Sequence, residues 1–284
     1  MFWDSLREIV KSMRDIEGEH ARFGFGANWK GFIALVDETC IESAERSLCE
    51  MLGVNDLAGR RFLDIGSGSG LFSLAARRLG ARVHSFDYDR QSVACTAELR
   101  RRFFPDDTAW AVEQGSALDA AYLTSLGEFD VVYSWGVLHH TGAMWCGIEN
   151  ALSRVRPGGT LFIAIYNDQG LKSHIWWVLK WVYNQLPRPL NVGYAYALGF
   201  GVNLLNILRY TFALRPMAAI RPLLHYRSRR GMSVTHDMVD WVGGMPYEFA
   251  RYDMLLSYLE ARGCTVINGR PNTSLGCHEL VLRR

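Results

Sequence analysis

Apolar and polar residues alternate along this chain with two periods, and the switches between them outline its elements. Residues 41–52 place Ile41, Ala44, Leu48 and Met51 on one helical face. The run Arg61–Gly66 (RFLDIG) is short, apolar and closed by glycine, the mark of a buried strand. LFSLAARRLG follows as a helix closed by Gly80, ARVHSFD as a second strand, and residues 90–103 as a basic amphipathic helix stopped at Pro105. TAWAVEQ, FDVVYS and TLFIAIY are further strands, separated by helical stretches such as AMWCGIENALSRV, with Pro157-Gly158-Gly159 as the turn into the last of them. Strand and helix alternating over roughly 100 residues predict βαβ units and a parallel sheet.

After Asp168 the alternation stops. A helix-rich, aromatic stretch intervenes, and alternation resumes at YDMLLSYLEARG, followed by CTVING and CHELVLRR as an antiparallel pair closing the sheet edge. The expected organisation is an N-terminal helical lid over 1–54, an α/β core over 55–168, a helical insertion over 169–232 and the rest of the core over 233–284. No internal repeat or low-complexity tract interrupts it.

Charge sharpens the picture. Between Asp168 and Asp237 there is no acid, while nine bases fall there, from Lys172 to Arg230, leaving 22 bases against 29 acids elsewhere. One basic module is thus joined to an acidic one. The six cysteines (Cys40, Cys49, Cys95, Cys146, Cys264 and Cys277) have neither disulfide nor zinc spacing, so no metal is expected. Free thiols and an opening stretch with no apolar signal core set the expectation of a cytoplasmic protein.

The most informative segment is Leu63-Asp64-Ile65-Gly66-Ser67-Gly68-Ser69-Gly70. A strand running into glycines that open a helix brings bare backbone N–H groups to a ligand. A dinucleotide site wants G-x-G-x-x-G and no acid beside it; here the spacing is G-x-G-x-G, with Asp64 two residues ahead. A carboxylate ~4 Å from a phosphate, at an effective dielectric of ~20, costs about 4 kcal/mol per charge pair. The same carboxylate suits a ligand carrying an ammonium and a sulfonium. Asp87 ends the second strand 21 positions after Gly66, the distance of an acid that bonds ribose hydroxyls; a helix cap is the other use of an acid there, a role Asp89 fits. Tyr88 then lies near an adenine, and Gly115-Ser116-Ala117 either touches its edge or is an ordinary loop.

In this order and spacing, LDIGSGSGL, FDYD, Gly115-Ser116-Ala117, FDVVYSWGVLHH and RPGGTLFIAIY resemble the motifs of class I methyltransferases dependent on S-adenosylmethionine (SAM). Within that class they resemble the small-molecule type of the ubiquinone-biosynthesis enzymes. The resemblance covers about residues 55 to 168 and the final strand pair. It implies a doubly wound α/β fold, with a seven-stranded, mostly parallel sheet whose last strand is antiparallel. It also implies SAM across the strand C-termini, with Asp64, Gly66, Gly68, Gly70 and Asp87 as ligands and Ser67, Leu71 and Val137 beside them. Ser116 departs from the pattern, since many relatives carry Asp there. The aromatic-glycine run from Phe23 to Trp29, with Phe25, is expected as a lid on the cofactor or else as a hydrophobic tether for a helix over 30–38.

Acceptor chemistry is less sharply marked. Methyl transfer to a hydroxyl needs alignment and removal of one proton, which a histidine suits. His139 and His140 follow the fourth strand and are the candidate bases; equally, they could only bond their loop or cover the cofactor. Trp135 is expected to pack against adenine or acceptor. Tyr166 and Asn167, ending the fifth strand, face the acceptor, or Asp168 caps the next helix. Trp241, Tyr247 and Glu248, around Gly243-Gly244-Met245-Pro246 and with Asp237 and Asp240, are expected in an acceptor wall. Glu248 is an alternative base or a helix-terminal acid, and His278 a pocket candidate.

The Asn/Asp-Pro-Pro-aromatic turn of amino-methylating nucleic-acid enzymes is absent after the fourth strand, and no cysteine follows a proline as cytosine C5 chemistry requires. The insertion is too rich in Gly and Asn over Pro189–Leu208 for a membrane span; a lid, an oligomer contact or an interfacial helix remain. Its bases suit a solvated face, an anionic acceptor or single-stranded RNA. The expected function is methyl transfer from SAM to a small-molecule acceptor, as an O-methylation. An RNA (tRNA) methyltransferase docking through the basic module and a non-catalytic SAM-binding regulator are the alternatives.

Overall fold

The computed structural model describes residues 24, 26–213, 217, 239, 241–274 and 276–284. These fall into two units, Gly24–Gln169 with Glu248–Arg284, and the described part of Gly170–Tyr247. Phe25, Asp237 and Asp240 lie outside the described residues.

In the first unit, α1 (Gly26–Ile33) and α2 (Glu38–Leu52) precede β1 (Arg61–Ile65), α3 (Leu71–Arg78), β2 (Arg82–Asp87), α4 (Arg90–Phe103), β3 (Trp110–Gln114) and α5 (Ala120–Ser125). There follow β4 (Phe129–Trp135), a 3-10 turn (Leu138–His140), α6 (Met144–Ser153) and β5 (Val155–Tyr166), and after the second unit α9 (Tyr252–Glu260), β6 (Thr265–Arg270) and β7 (Cys277–Arg283). The strands form one sheet in the order β3-β2-β1-β4-β5-β7-β6. β7 runs antiparallel to both its neighbours; the other pairings are parallel. Chain order reverses beside β1, which opens a crevice at the strand C-termini, where sheets of this kind hold ligands.

The core follows from the periodicities. Leu63, Ile65, Val132, Ile163 and Leu280 point to one face and pack with Ile148 and Ala151 of α6 and Leu255 and Leu259 of α9. Each such fully buried aliphatic side chain contributes about 1.5–3 kcal/mol. On the other face, Tyr133 stacks on Phe62 and Phe72, with ring centroids 5.8 and 5.2 Å away. Helix α2 buries Ile41, Ala44, Leu48 and Met51, the stripe its spacing predicts.

Two local expectations change. The helix expected over 30–38 is Gly26–Ile33, because the Asp37 carboxylate accepts from Cys40 N and starts a new helix instead. Pro157-Gly158-Gly159 lies inside β5 and not ahead of it. Arg284 N donates to Gly159 O and Gly158 N to Arg284 O, which carries the ladder with β7 through the glycines, Gly158 taking φ 75°.

The second unit holds α7 (Leu171–Gln185) and α8 (Leu190–Phe212). Tyr183, Ala195 and Val242 form its small core. Lys180 is buried there; its ammonium donates to Trp241 O and lies 4.8 Å from the Tyr247 ring centre.

Candidate active site

The loop after β1 is held by its own backbone. Gly66 N and Ser67 N both donate to Phe86 O of β2, at 2.9 and 3.0 Å, and Gly70 N closes on Ser67 O. Gly66 and Gly70 adopt φ of +77° and +82°. A β-carbon on Gly66 would lie 2.4 Å from Val137, and one on Gly70 2.8 Å from the Thr96 backbone. Both conformation and space therefore demand glycine. The loop thus touches Val137 on one side and α4 on the other, where Ser67 Oγ and Thr96 Oγ1 lie 2.8 Å apart. The Trp29 indole stands over Gly68, and α1 is tied to α4 by Gly26 N donating to Asp89 Oδ2 at 2.8 Å.

Two carboxylates flank this loop. Asp87 accepts from Gly68 N and from Asp89 N, both at 2.9 Å. Burial nevertheless pushes its pKa up to about 6. Asp64 is 2% exposed. Ser73 Oγ donates to it at 2.5 Å, lies 2.7 Å from Ser85 Oγ, and Trp110 Nε1 donates to Ser85 at 2.9 Å. The indole is a donor only and the Ser73 proton goes to the carboxylate, so Ser85 donates to Ser73. The result is a one-way relay of donors ending on Asp64. Burial, opposed by the Ser73 bond and reinforced by the nearby Asp87 charge, still pushes Asp64 up to about 7.

Around the crevice the other expected residues part company. Tyr88 is exposed, with Gln114 Nε2 on its carbonyl at 3.0 Å. Ser116 Oγ accepts from Leu118 N at 3.2 Å inside its own turn, and Ala117 O takes Asn150 Nδ2 at 2.9 Å. Leu71 opens α3 directly after the loop. Trp135 ends β4. Its side chain shares the sheet face of Tyr133 and reaches across β5, its indole N–H donating to Glu279 of β7 at 2.8 Å.

The two histidines have different surroundings. His139 is fully buried, and its Nδ1 accepts from Tyr166 N at 3.3 Å. His140 is half-buried, edge-on to Tyr166 with ring centres 5.4 Å apart. Glu248 locks this turn: its N–H donates to His139 O at 2.9 Å and its carboxylate accepts from Met144 N at 3.0 Å. It thereby satisfies the first turn of α6, whose Ala143 cap has no side-chain oxygen to offer. Ala250 bridges Asn167, with Ala250 N on Tyr166 O and Asp168 N on Ala250 O. The Asn167 amide is buried and donates to Ser274 O at 3.3 Å. His278 is buried on β7, its Nδ1 taking Asn272 N at 2.9 Å, and burial lowers its pKa. Trp241 and Tyr247 belong to the second unit, Trp241 packing on Trp176 with ring centres 4.0 Å apart.

Ser73, Ser85, Trp110 and Thr96 escape a motif search. One sign of Ser73 exists in the sequence, a hydroxyl on the otherwise apolar buried face of the helix that follows the glycine loop.

Comparison with known proteins agrees with this geometry. Residues 39–191 match a family model described as a methyltransferase domain. A ubiquinone biosynthesis O-methyltransferase of Parvibaculum lavamentivorans is 36% identical over 136 residues, 45% of this chain and 49% of that protein. One from Agrobacterium fabrum is 31% identical over 133 residues, 45% and 51% of the two chains. The chain spans about half the length of these curated relatives. Among solved structures, PKMT2 of Rickettsia typhi in complex with AdoHcy aligns with a TM-score of 0.56 at 13% identity, covering 84% of this chain and 52% of that one. A magnesium protoporphyrin IX methyltransferase of Synechocystis PCC 6803 with bound SAH aligns at 0.51 and 13%, covering 96% and 92%. At these identities the structures speak for the fold.

Proposed function

The chain belongs to the methyltransferase-domain family, and from that premise we propose that it transfers the methyl group of SAM to an oxygen of a small-molecule acceptor. The observation that carries the reading is a buried Asp64 and a half-buried Asp87 flanking a glycine loop that leaves no room for side chains at Gly66 and Gly70. Two acids at a glycine turn fit a ligand with an ammonium and ribose hydroxyls. They do not fit a diphosphate, which would meet two acids.

Asp87 would take the ribose hydroxyls and Asp64 the ammonium end, with the loop backbone of Gly66, Ser67, Gly68, Gly70 and Leu71 lying along the ligand. Trp29 and Val137 would wall the loop, with Tyr88, Ser116 and Ala117 toward the adenine. When bound, SAM supplies a methyl carbon activated by its sulfonium. The side chains' share is to align a hydroxyl and take its proton. His140 is the residue for that task. His139 already spends Nδ1 on the Tyr166 N–H and acts as a positioning residue, with Glu248 holding the turn that carries both. Tyr166 stands beside His140 as an acceptor contact, and the O-methyltransferase names of the relatives support oxygen as the target. Six free thiols among the described residues support a cytoplasmic setting.

Labelled-methyl SAM incubated with a cell extract tests the reading. Label is expected in the low-molecular-weight fraction. Label confined to RNA, or calorimetry showing uptake of NADH with indifference to SAM and SAH, would refute it.

A further inference from the structure

A carboxylate as deeply buried as Asp64 ordinarily meets a cation or several N–H donors. Here it meets neither. Among the described residues a single donor reaches it, the Ser73 hydroxyl on Oδ2 at 2.5 Å, and no base pairs with it. Four elements contribute to that one bond. Asp64 stands on β1, Ser73 on α3, Ser85 on β2 and Trp110 on β3. Strand register sets Ser85 beside Asp64 on one face of the sheet. Ser73 and Ser85 are fully buried, and Trp110 nearly so.

The direction of these bonds gives them a use. Trp110 Nε1 can only donate, so Ser85 turns its own proton to Ser73, and Ser73 turns its proton to the acid. Each bond polarises the next, which makes the last donor stronger than an isolated hydroxyl. A hydrogen bond to an ionised carboxyl favours the ionised form. It acts here against burial and against the charge of Asp87, while the Tyr133 phenol, in register on β4, is the other titratable group facing Asp64. A residue that only filled this space would need no hydroxyl. Alanine serves at Ala75 and Ala76, buried on the same helix.

We propose that Ser73, backed by Ser85 and Trp110, is a positioning residue for the cofactor: it holds the Asp64 carboxylate as an anion through Oδ2 and leaves Oδ1 to the ligand's ammonium. The inference rests on the reading of Asp64 as a cofactor ligand. Ser73 acts through Asp64 alone, and the effect of removing a donor fades with its distance from the acid along the relay.

Calorimetry of SAH binding to the full chain, from about pH 5.5 to about pH 8.5, tests this. Ser73→Ala should raise the pH at which affinity levels off by about one pH unit. Binding is then about tenfold weaker than that of the unsubstituted chain at about pH 6.5, and within about threefold of it at about pH 8.5. Ser85→Ala should give a smaller shift of the same sign, and Trp110→Phe the smallest. In the ligand-free chain the carbon-13 signal of the Asp64 carboxyl should titrate with the same displacements. Ser85→Ala carries the test if Ser73→Ala does not fold. A lower melting temperature with an unmoved pH profile, or a loss of affinity equal at every pH, would overturn the proposal. Asp64→Asn separates it from the reading beneath it. SAH binding indifferent to Asp64→Asn would remove Asp64 from the cofactor site and the relay's role with it, whereas a loss there with no shift in Ser73→Ala or Ser85→Ala would refute the relay alone.

Discussion

The two units break opposite rules of burial. The sheet unit hides ionisable groups: Asp64 is all but inaccessible, and burial holds it and Asp87 far above the usual carboxylate range. The helical unit does the reverse, exposing Phe200, Leu205 and Phe212 on a helix that buries only an alanine and a glycine. Buried charge and exposed hydrocarbon both cost stability, and each marks a surface built for something other than folding. In the first unit that surface lies at the glycine loop. Loss of ligand affinity should therefore follow changes in the first unit only.

The sharpest break is expected at His140. His140→Ala should lower kcat by about 10²–10⁴ and leave the SAH dissociation constant unchanged; an equal loss of SAH binding would move His140 into the cofactor site. Next comes Asp87→Ala, expected to weaken SAH by about 10² or more, on the scale of charge-assisted hydrogen bonds of ~1.5–3 kcal/mol each. Calorimetry reads this directly.

A third effect is in pH. Both acids titrate in the free protein near 6 and 7, well above their unfolded values, so they contribute less to stability as pH rises from about 4 toward 7. A ligand that donates to them favours the ionised forms. SAH affinity should thus increase from pH 5 to pH 7.5, by up to about tenfold per unit for each group still protonated, and then level off. A flat profile would mean that neither acid faces the ligand. The smallest effect belongs to Glu248→Gln, which keeps the acceptor oxygen but loses its charge at the start of α6. It should cost about 0.3–1 kcal/mol of stability, while Glu248→Ala should cost about 0.5–2. A measured loss of kcat without a change in SAH affinity would tie its clamp on His139 to the histidine turn.

Periodicity and punctuation sufficed for much of the first unit. Helix 90–103 ends where Pro105 requires, and the strand pair after YDMLLSYLEARG closes the edge as expected. Local rules reach this far because a strand, a cap or a glycine turn is decided by neighbours within a few residues. They misjudge Pro157-Gly158-Gly159, where Arg284, far along the chain, pairs with the glycines and draws them into β5.

What the sequence by itself determined was the alternation of strands and helices, the glycine loop with Asp64 and Asp87 at its flanks, and the one-signed charge of the helical segment. Only the tertiary structure decided that Trp135 turns to Glu279, that His139 and not His140 is committed to Tyr166 N, that Glu248 caps a helix more than a hundred positions earlier, and that α8 leaves its apolar face uncovered. The reason is common to all four. A side chain's partner, or its lack of cover, depends on residues far away in the chain, and no local pattern carries that information.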